Sequence, residues 1–312
     1  MEPVRNVAVV GAGAMGAFYA SRLFDTEAVS VSLVAGGERF ERLRTRGLLV
    51  NDRPYAVPVL HPDAGDPPSD LVIVAVKNHH LEQALRDMRR RVGPDTLLLS
   101  VMNGIDSEEQ LGEAFGVEKV LYAVALGIDS VRDENRVSYT TPGVIQFGEA
   151  DNTEITERVR RLQALFDRAG IPWETPTDMV RTLWWKFMIN VGVNQVSAVL
   201  RAPYGVFQRT PEAQELMEWA MCEVIEVAER AGVALAREDI ENWKSVLATL
   251  GPDGKTSMLQ DVEAGRKTEV EIFAGRVMGL GEAHGVSVPV NRLLYQMIRV
   301  AEARSRQEAQ EG

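Results

Sequence analysis

The stretch that decides the fold is Arg5-Asn-Val-Ala-Val-Val-Gly11-Ala-Gly13-Ala-Met-Gly16-Ala-Phe-Tyr-Ala20. Arg5–Val10 reads as a strand and Ala14–Phe24 as a helix, with Gly11, Gly13 and Gly16 spaced G-x-G-x-x-G between and into them. The first glycine permits a tight turn and the second lets backbone approach a pyrophosphate. The third lets the helix pack closely on the strand, while the helix N-terminus faces the phosphates. Ala12, Ala14 and Met15 complete this candidate cofactor loop. The triplet alone is a weak signal; its place between a strand and a helix, in a β-α-β unit, makes it a dinucleotide turn.

Outward from this turn, Val29–Ala35 reads as a second strand, and Leu71–Lys77 and Thr96–Met102 as further apolar strands around a helical His80–Val92. Continuous apolar strands alternating with helices predict a parallel sheet covered on both faces. Val117–Ile128 is a later strand, and Arg136–Thr141 with Gly143–Glu149 reads as a hairpin closing the sheet around Pro142. A helix near Thr153–Ala169 leads out. From Thr177 the strand signal stops, and helices are expected over 178–200, 211–231, 237–250, 257–284 and 289–305. Thr210-Pro211 supplies an N-cap and first-turn proline, and Gly232 a stop. The last eight residues, from Ser305, are expected to fray. At about 150 residues per domain, 312 residues predict two. They are a Rossmann-type doubly wound α/β domain over 1–176 and an all-helical substrate and catalytic domain over 177–312, with ligands expected in the crevice between them.

Composition narrows the function. Thirty-four Lys+Arg against forty-five Asp+Glu give a net charge of −11, which argues against a general nucleic-acid or anionic-membrane binder. It leaves room for a local basic pocket. With 45% hydrophobic residues the chain is too apolar for disorder. A single cysteine, Cys222, excludes an intramolecular disulfide framework and a cysteine-rich metal site; in its apolar helical stretch it reads as packing. The histidines at 61, 79, 80 and 284 lack ligand spacing, so no metal site is expected. Met179–Leu200 is interrupted by Arg181, Lys186, Asn190, Asn194 and Gln195, which suits a buried or active-site helix rather than a membrane span. The first residues enter a strand with almost no leader, so no signal peptide is expected and the cytoplasm is the default compartment.

The strongest chemical pattern is Trp184-Trp-Lys186-Phe-Met-Ile-Asn190-Val-Gly-Val-Asn194. Spacing of i, i+4, i+8 puts Lys186, Asn190 and Asn194 along one helical face, among apolar neighbours. A lysine desolvated by such neighbours has a lowered pKa and can give up a proton near neutral pH, and two amides can orient a hydroxyl or carboxylate. A solvated polar stripe is the bland alternative. Lys77 and Asn103 end two successive apolar strands, where polar residues border the ligand crevice; a surface lysine and a turn-forming Asn-Gly are the alternatives. Ser257 and Gln260 fit an N-terminal capping box, which needs no ligand, and Glu269 reads equally as an exposed helix residue. At the end of the second strand, where an acid would bind ribose hydroxyls and an arginine a 2′-phosphate, stands Gly36. Glu38 and Arg39 follow, each able to take one of those roles.

GAGAMG, VAVK, NGID, LWWKFMINVGVN, SMLQD, GRKTEVE and GEAHGVSVP occur here in an order and spacing that resemble the ketopantoate reductases (2-dehydropantoate 2-reductases) over nearly the whole chain. The resemblance implies a Rossmann domain plus a helical domain and reduction of a 2-keto acid with NADP(H) in preference to NAD(H). It places Lys186 on the family's proton donor, Asn190 and Asn194 on substrate-binding asparagines and Ser257 on a substrate-contacting serine. Glu269 falls on the carboxylate near the cofactor ribose and active site, and Lys77 and Asn103 on cofactor-contacting positions. Two departures stand out. Gly36 replaces the usual arginine, and Tyr204 replaces a further substrate-binding asparagine. The expected activity is hydride delivery to the C2 carbonyl of 2-dehydropantoate, in pantothenate synthesis, by a monomer or homodimer. The alternatives are a relative acting on a different 2-keto acid and a non-catalytic dinucleotide sensor, which would have no need of the lysine–asparagine stripe.

Overall fold

The computed structural model describes residues 2–128, 130–133 and 136–311. The chain forms two compact units, Met1–Val180 and Arg181–Gly312.

In the first unit the strands are β1 (Asn6–Val10), β2 (Ser30–Val34), β3 (Leu48–Val50), β4 (Arg53–Tyr55), β5 (Val59–Leu60) and β6 (Leu71–Val74). They continue as β7 (Leu97–Ser100), β8 (Val120–Ile128), β9 (Val131–Asp133), β10 (Arg136–Ser138), β11 (Pro142–Gly148) and β12 (Trp173–Glu174). Its helices are α1 (Ala14–Phe24), α2 (Gly37–Arg46), α3 (Leu81–Asp87), α4 (Ser107–Phe115) and α5 (Glu157–Ala169). The main sheet runs β12-β11-β8-β7-β6-β1-β2-β5. From β5 to β8 every pairing is parallel, and β11 joins β8 antiparallel. The chain leaves β1 toward β2 and β5 and then jumps back to β6, so the order reverses between β1 and β6. Ligand crevices of doubly wound sheets form outside the strand ends at that reversal. Alternation along β1 feeds both faces, with Val7 and Val9 in one apolar cluster and Ala8 and Val10 in the other.

One expectation is corrected here. Arg136–Thr141 and Gly143–Glu149 do not form a hairpin. β10 pairs with β3 and β9 in a separate four-stranded sheet, β4-β3-β10-β9, while β11 pairs with β8. Gly143, at φ +61, sits where a side chain would come within 2.2 Å of the Leu126 carbonyl, so β11 lies flush against β8. The small sheet rests on a two-residue turn at Asn51-Asp52, both at positive φ as such hairpins require. The Asn51 amide also bonds both the N–H and the C=O of Tyr139, drawing β10 toward β3.

The second unit is helical. Its elements are α6 (Met179–Ile189), which begins just before the boundary, a π-helical turn over Asn190–Asn194, α7 (Gln195–Leu200) and α8 (Tyr204–Arg209). They are followed by α9 (Pro211–Arg230), α10 (Arg237–Leu247), α11 (Ser257–Glu263), α12 (Ala274–His284) and α13 (Pro289–Glu311). The single helix expected over 257–284 is broken. α11 ends before Gly265 at φ +63, and the chain resumes as a short 3₁₀ turn at Val270–Ile272 before α12. A glycine in that region is the usual way to end a helix. α13 is helical to Glu311, through the Ser305–Glu311 segment for which fraying was expected; Gly312 lies outside the described residues.

Candidate active site

The dinucleotide turn closes β1 onto α1. Gly11, at φ +104, lies so near the chain leaving β6 that an added Cβ would be 2.6 Å from the Ala75 carbonyl oxygen. At Gly16 it would be 1.7 Å from the Gly11 carbonyl oxygen, so α1 packs on the strand end with no room for a methyl. Gly13 differs: the nearest atom is 3.9 Å away, leaving space on the side from which a ligand would come. It is the N-cap of α1, with no capping side-chain bond and no acid in the first turn. A helix start of this kind is left with unsatisfied N–H groups and a positive dipole end, both suited to phosphate. These residues fit a dinucleotide.

Lys77 and Asn103 stand at equivalent places on the neighbouring strands. Val74 pairs with Ser100, and each candidate lies three residues further on. Both are half-buried. Gly36 caps α2 in extended backbone without a side-chain bond, and Pro62 and the Asp87 carboxylate are its nearest neighbours. Arg39 follows in the first turn of α2. Burial and the nearby Arg42 guanidinium lower its pKa, partly offset by Asp87.

In the second unit Lys186 lies near the end of α6 and Asn190 and Asn194 bound the π-turn. Both asparagines are buried, and the Asn194 amide N–H lies 3.5 Å from the Asn190 side-chain oxygen. Four α-helical residues carry a side chain about 40° beyond a full turn. The π-turn closes one residue later and so advances less per residue, swinging Asn194 back toward the line of Lys186 and Asn190. Gly192 permits this turn to touch α9, since a Cβ there would fall 2.5 Å from Met221 Cγ. Lys186 is half-buried as a residue, yet desolvation of its ammonium lowers its pKa to about 8.

The sequence reading missed Gln195. Its side chain is fully buried, and its amide N–H groups reach the Val191 carbonyl at 2.8 Å and Asn291 Oδ1 at 3.1 Å. Its oxygen accepts from Ala274 N at 3.0 Å, at the start of α12. A π-turn moves Val191's carbonyl out of the ordinary four-residue bond, and Gln195 supplies a donor to it. Glu223 in turn accepts from Val290 N, Asn291 N and the Asn291 amide, fixing α13 to the same network. A glutamine after a polar stripe reads as more of the stripe; only the widened turn shows its role. Gln195→Leu is expected to cost about 3 kcal/mol in urea unfolding, because it strands a carbonyl and an N–H in the core.

The capping box expected at Ser257 is also corrected. Thr256 is the N-cap, accepting from Leu259 N at 3.2 Å, and the third helical position is Leu259 rather than an acid or amide. Thr256 is buried and its hydroxyl also meets Ser197 at 3.1 Å, which holds the cap one residue early. Ser257 is consequently exposed at the first position of α11, not used as a cap. Tyr204 opens α8 beside the same loop. Its N–H bonds Gly254 O at 2.9 Å, and a side chain at 254 would meet its ring at 2.9 Å. Burial raises its hydroxyl pKa, keeping it neutral. Glu269 is half-buried at the start of the Val270–Ile272 turn. Among the described residues no cluster of metal-ligating side chains occurs, and no helix is long and apolar enough to cross a membrane.

Comparison with known proteins agrees with this geometry. Residues 7–152 match the family described as ketopantoate reductase PanE/ApbA, and residues 178–302 match its C-terminal family. A 2-dehydropantoate 2-reductase of Halobacterium salinarum is 28% identical, covering 95% of this chain and 99% of that protein. One from Aquifex aeolicus is 27% identical, covering 96% and 97%. The crystal structure of a PanE/ApbA family ketopantoate reductase from Ralstonia eutropha superposes with a TM-score of 0.83 at 27% identity, covering 96% and 99%. The ternary structure of D-mandelate dehydrogenase with NADH and anilino(oxo)acetate gives 0.86 at 20% identity, covering 96% and 99%, a likeness of fold. A doubly wound unit followed by a helical unit, with relatives named as reductases, defines the class as an oxidoreductase. The chain belongs to the ketopantoate reductase PanE/ApbA family.

Proposed function

We propose that the chain reduces a branched 2-keto acid, 2-dehydropantoate first, to its 2-hydroxy acid, with NADPH in preference to NADH. The observation that carries this reading is Lys186, a lysine with its pKa lowered to about 8, in line with two buried asparagines. Gly11, Ala12, Gly13, Ala14, Met15 and Gly16 would hold the pyrophosphate, and Lys77 and Asn103 the nicotinamide-ribose side. When bound, the dinucleotide supplies hydride to C2. Lys186 hydrogen-bonds the C2 carbonyl oxygen, stabilises the negative charge that develops there and donates the proton that completes the alcohol. The neutral amine then regains a proton from water. Asn190, Asn194 and Ser257 hold the substrate's hydroxyl and carboxylate, and Glu269 orients Lys186 or the cofactor. Arg39 is the cation available to a 2′-phosphate.

A second substrate is favoured by one observation: Tyr204 presents a neutral, half-buried aromatic ring beside Gly254, in the loop leading to Ser257. A ring there suits a bulkier, more apolar acid. Initial rates with 2-dehydropantoate under NADPH and then NADH, repeated with simpler and with aryl-substituted 2-keto acids, test both points. The expected result is the highest kcat/KM for 2-dehydropantoate with NADPH. A higher value for an aryl keto acid would move the assignment to the second substrate, and tight cofactor binding with no turnover of any keto acid would make the chain a sensor. Tyr204→Asn is expected to shift the kcat/KM ratio toward 2-dehydropantoate by about tenfold, read from the same assay.

A further inference from the structure

Glu269 is carried by a short segment whose anchors lie on both sides of it. On one side is Thr268, which is buried. Its N–H and its hydroxyl both donate to one oxygen of Glu302 on α13, at 2.8 and 2.6 Å. The same hydroxyl accepts from Val270 N at 3.3 Å, so the backbone N–H groups on either side of Glu269 are held, one by Glu302 and one by Thr268. On the other side Glu271 accepts from Tyr295 and Arg299, also on α13, and Arg299 lies 3.6 Å from the second Glu302 oxygen. Further back, Arg266 bonds the buried Asp261 carboxylate at 2.9 Å, closing the approach from α11.

Glu302 is a buried carboxylate one turn beyond the buried Ile298 and two beyond the buried Leu294 on α13. Burying such a charge is costly, and well-packed apolar groups generally serve stability as well or better. Its two short bonds go to the residue immediately before Glu269. We propose that Glu302 and Thr268 are positioning residues that hold the Glu269 carboxylate for the reaction, a role that rests on the placement of Glu269 at the reacting centre proposed above. Thr268 acts through Glu269 and touches neither substrate nor cofactor.

The test is a double-mutant cycle of Thr268→Val with Glu269→Gln, with Thr268→Ser as the conservative control. Valine keeps the shape of threonine and removes the hydroxyl. Thr268→Val is expected to lower kcat/KM by about tenfold or more, in whichever of kcat or KM Glu269→Gln changes, and Thr268→Ser to restore it to within about threefold. In the Glu269→Gln background Thr268→Val should cost nothing further. An equal loss in both backgrounds would mean general loosening of the domain and would overturn the proposal. So would a loss in Glu269→Gln with none in Thr268→Val, which leaves the placement of Glu269 intact. Full activity in Glu269→Gln would overturn that placement and the positioning role with it. Should Thr268→Val not fold, the pair Glu302→Gln and Glu302→Leu reads the same point. Gln keeps the accepting oxygen and should retain activity, whereas Leu should lose it to the extent set by Glu269→Gln. Equal activity in the pair would overturn the proposal.

Discussion

Lys186→Ala is expected to lower kcat for keto-acid reduction by about 10²–10⁴, the range for removing a positioned general acid, while the dissociation constant of NADPH stays within about twofold. Stopped-flow single turnover with fluorescence titration of the cofactor separates the two. Turnover near the wild-type value would take the lysine out of the mechanism. The pH dependence follows from the same side chain. Desolvation lowers the free enzyme's Lys186 to about 8 from the usual lysine value. The acid must be protonated to act, so kcat/KM for reduction is expected to be level below about pH 8 and to fall about tenfold per unit above it. Stability has the opposite slope. A group whose folded pKa is depressed binds fewer protons folded than unfolded between the two values, so unfolding free energy rises as pH increases through that window. Lys186→Met should therefore raise Tm most at neutral pH, with the gain shrinking as pH passes 8 toward the ordinary lysine value. A Tm difference independent of pH would contradict the desolvated site.

The second large effect is expected at Gly16. Valine there would place its Cβ 1.7 Å from the Gly11 carbonyl oxygen, a contact with backbone that no rotamer change relieves. α1 must then lift from β1, which moves the N–H groups of its first turn away from the phosphates they would bind. Gly16→Val is expected to lose at least 100-fold in dinucleotide affinity by isothermal titration, and about 3 kcal/mol or more in urea unfolding from overpacking. Gly13→Ala is the informative contrast. With no atom nearer than 3.9 Å, it should leave stability unchanged within about 0.5 kcal/mol while still weakening the cofactor. Equal stability losses in the two variants would show that the turn is structural and not built around a ligand.

How far the sequence carries depends on what kind of physics writes a feature. The Gly11–Gly16 turn is legible because only glycine tolerates φ +104 at one position and a carbonyl at contact distance at another. The core strands are legible because strands buried on both faces must be apolar throughout, as Leu71–Val74 and Leu97–Ser100 nearly are. β3, β4, β9 and β10 are three residues each, too short to show alternation, and β4 is Arg-Pro-Tyr. Their sheet is assembled by Asn51 and Tyr139, which lie 88 residues apart and have no local signature. The hairpin expectation failed for the same reason, since adjacency in sequence stood in for pairing. Thr256 and Ser257 are both good caps, and local preference cannot choose between them. The buried Ser197 hydroxyl, on another helix, does. The i, i+4, i+8 stripe was visible from spacing, but the wider turn inside it was not, because a π-turn depends on tertiary contacts such as those of Gln195 with Asn291 and Ala274 and of Gly192 with Met221.

That wider turn has a consequence for how the chain tolerates change in length. A π-turn holds one residue more than the α-helix it interrupts. Deleting Val193 would let the helix run through without a break, with every remaining side chain chemically intact. α7 would keep its phase, because the wide turn takes up its extra residue within one rotation. The glutamine at its start would still face the Ala274 N–H it now joins, and only the residues inside the turn would be re-aimed. An inserted or deleted residue elsewhere in this rod would rotate everything beyond it by about 100°. Here it is absorbed where it falls, so the turn is the one place in the rod where length can change without re-aiming the helices on either side.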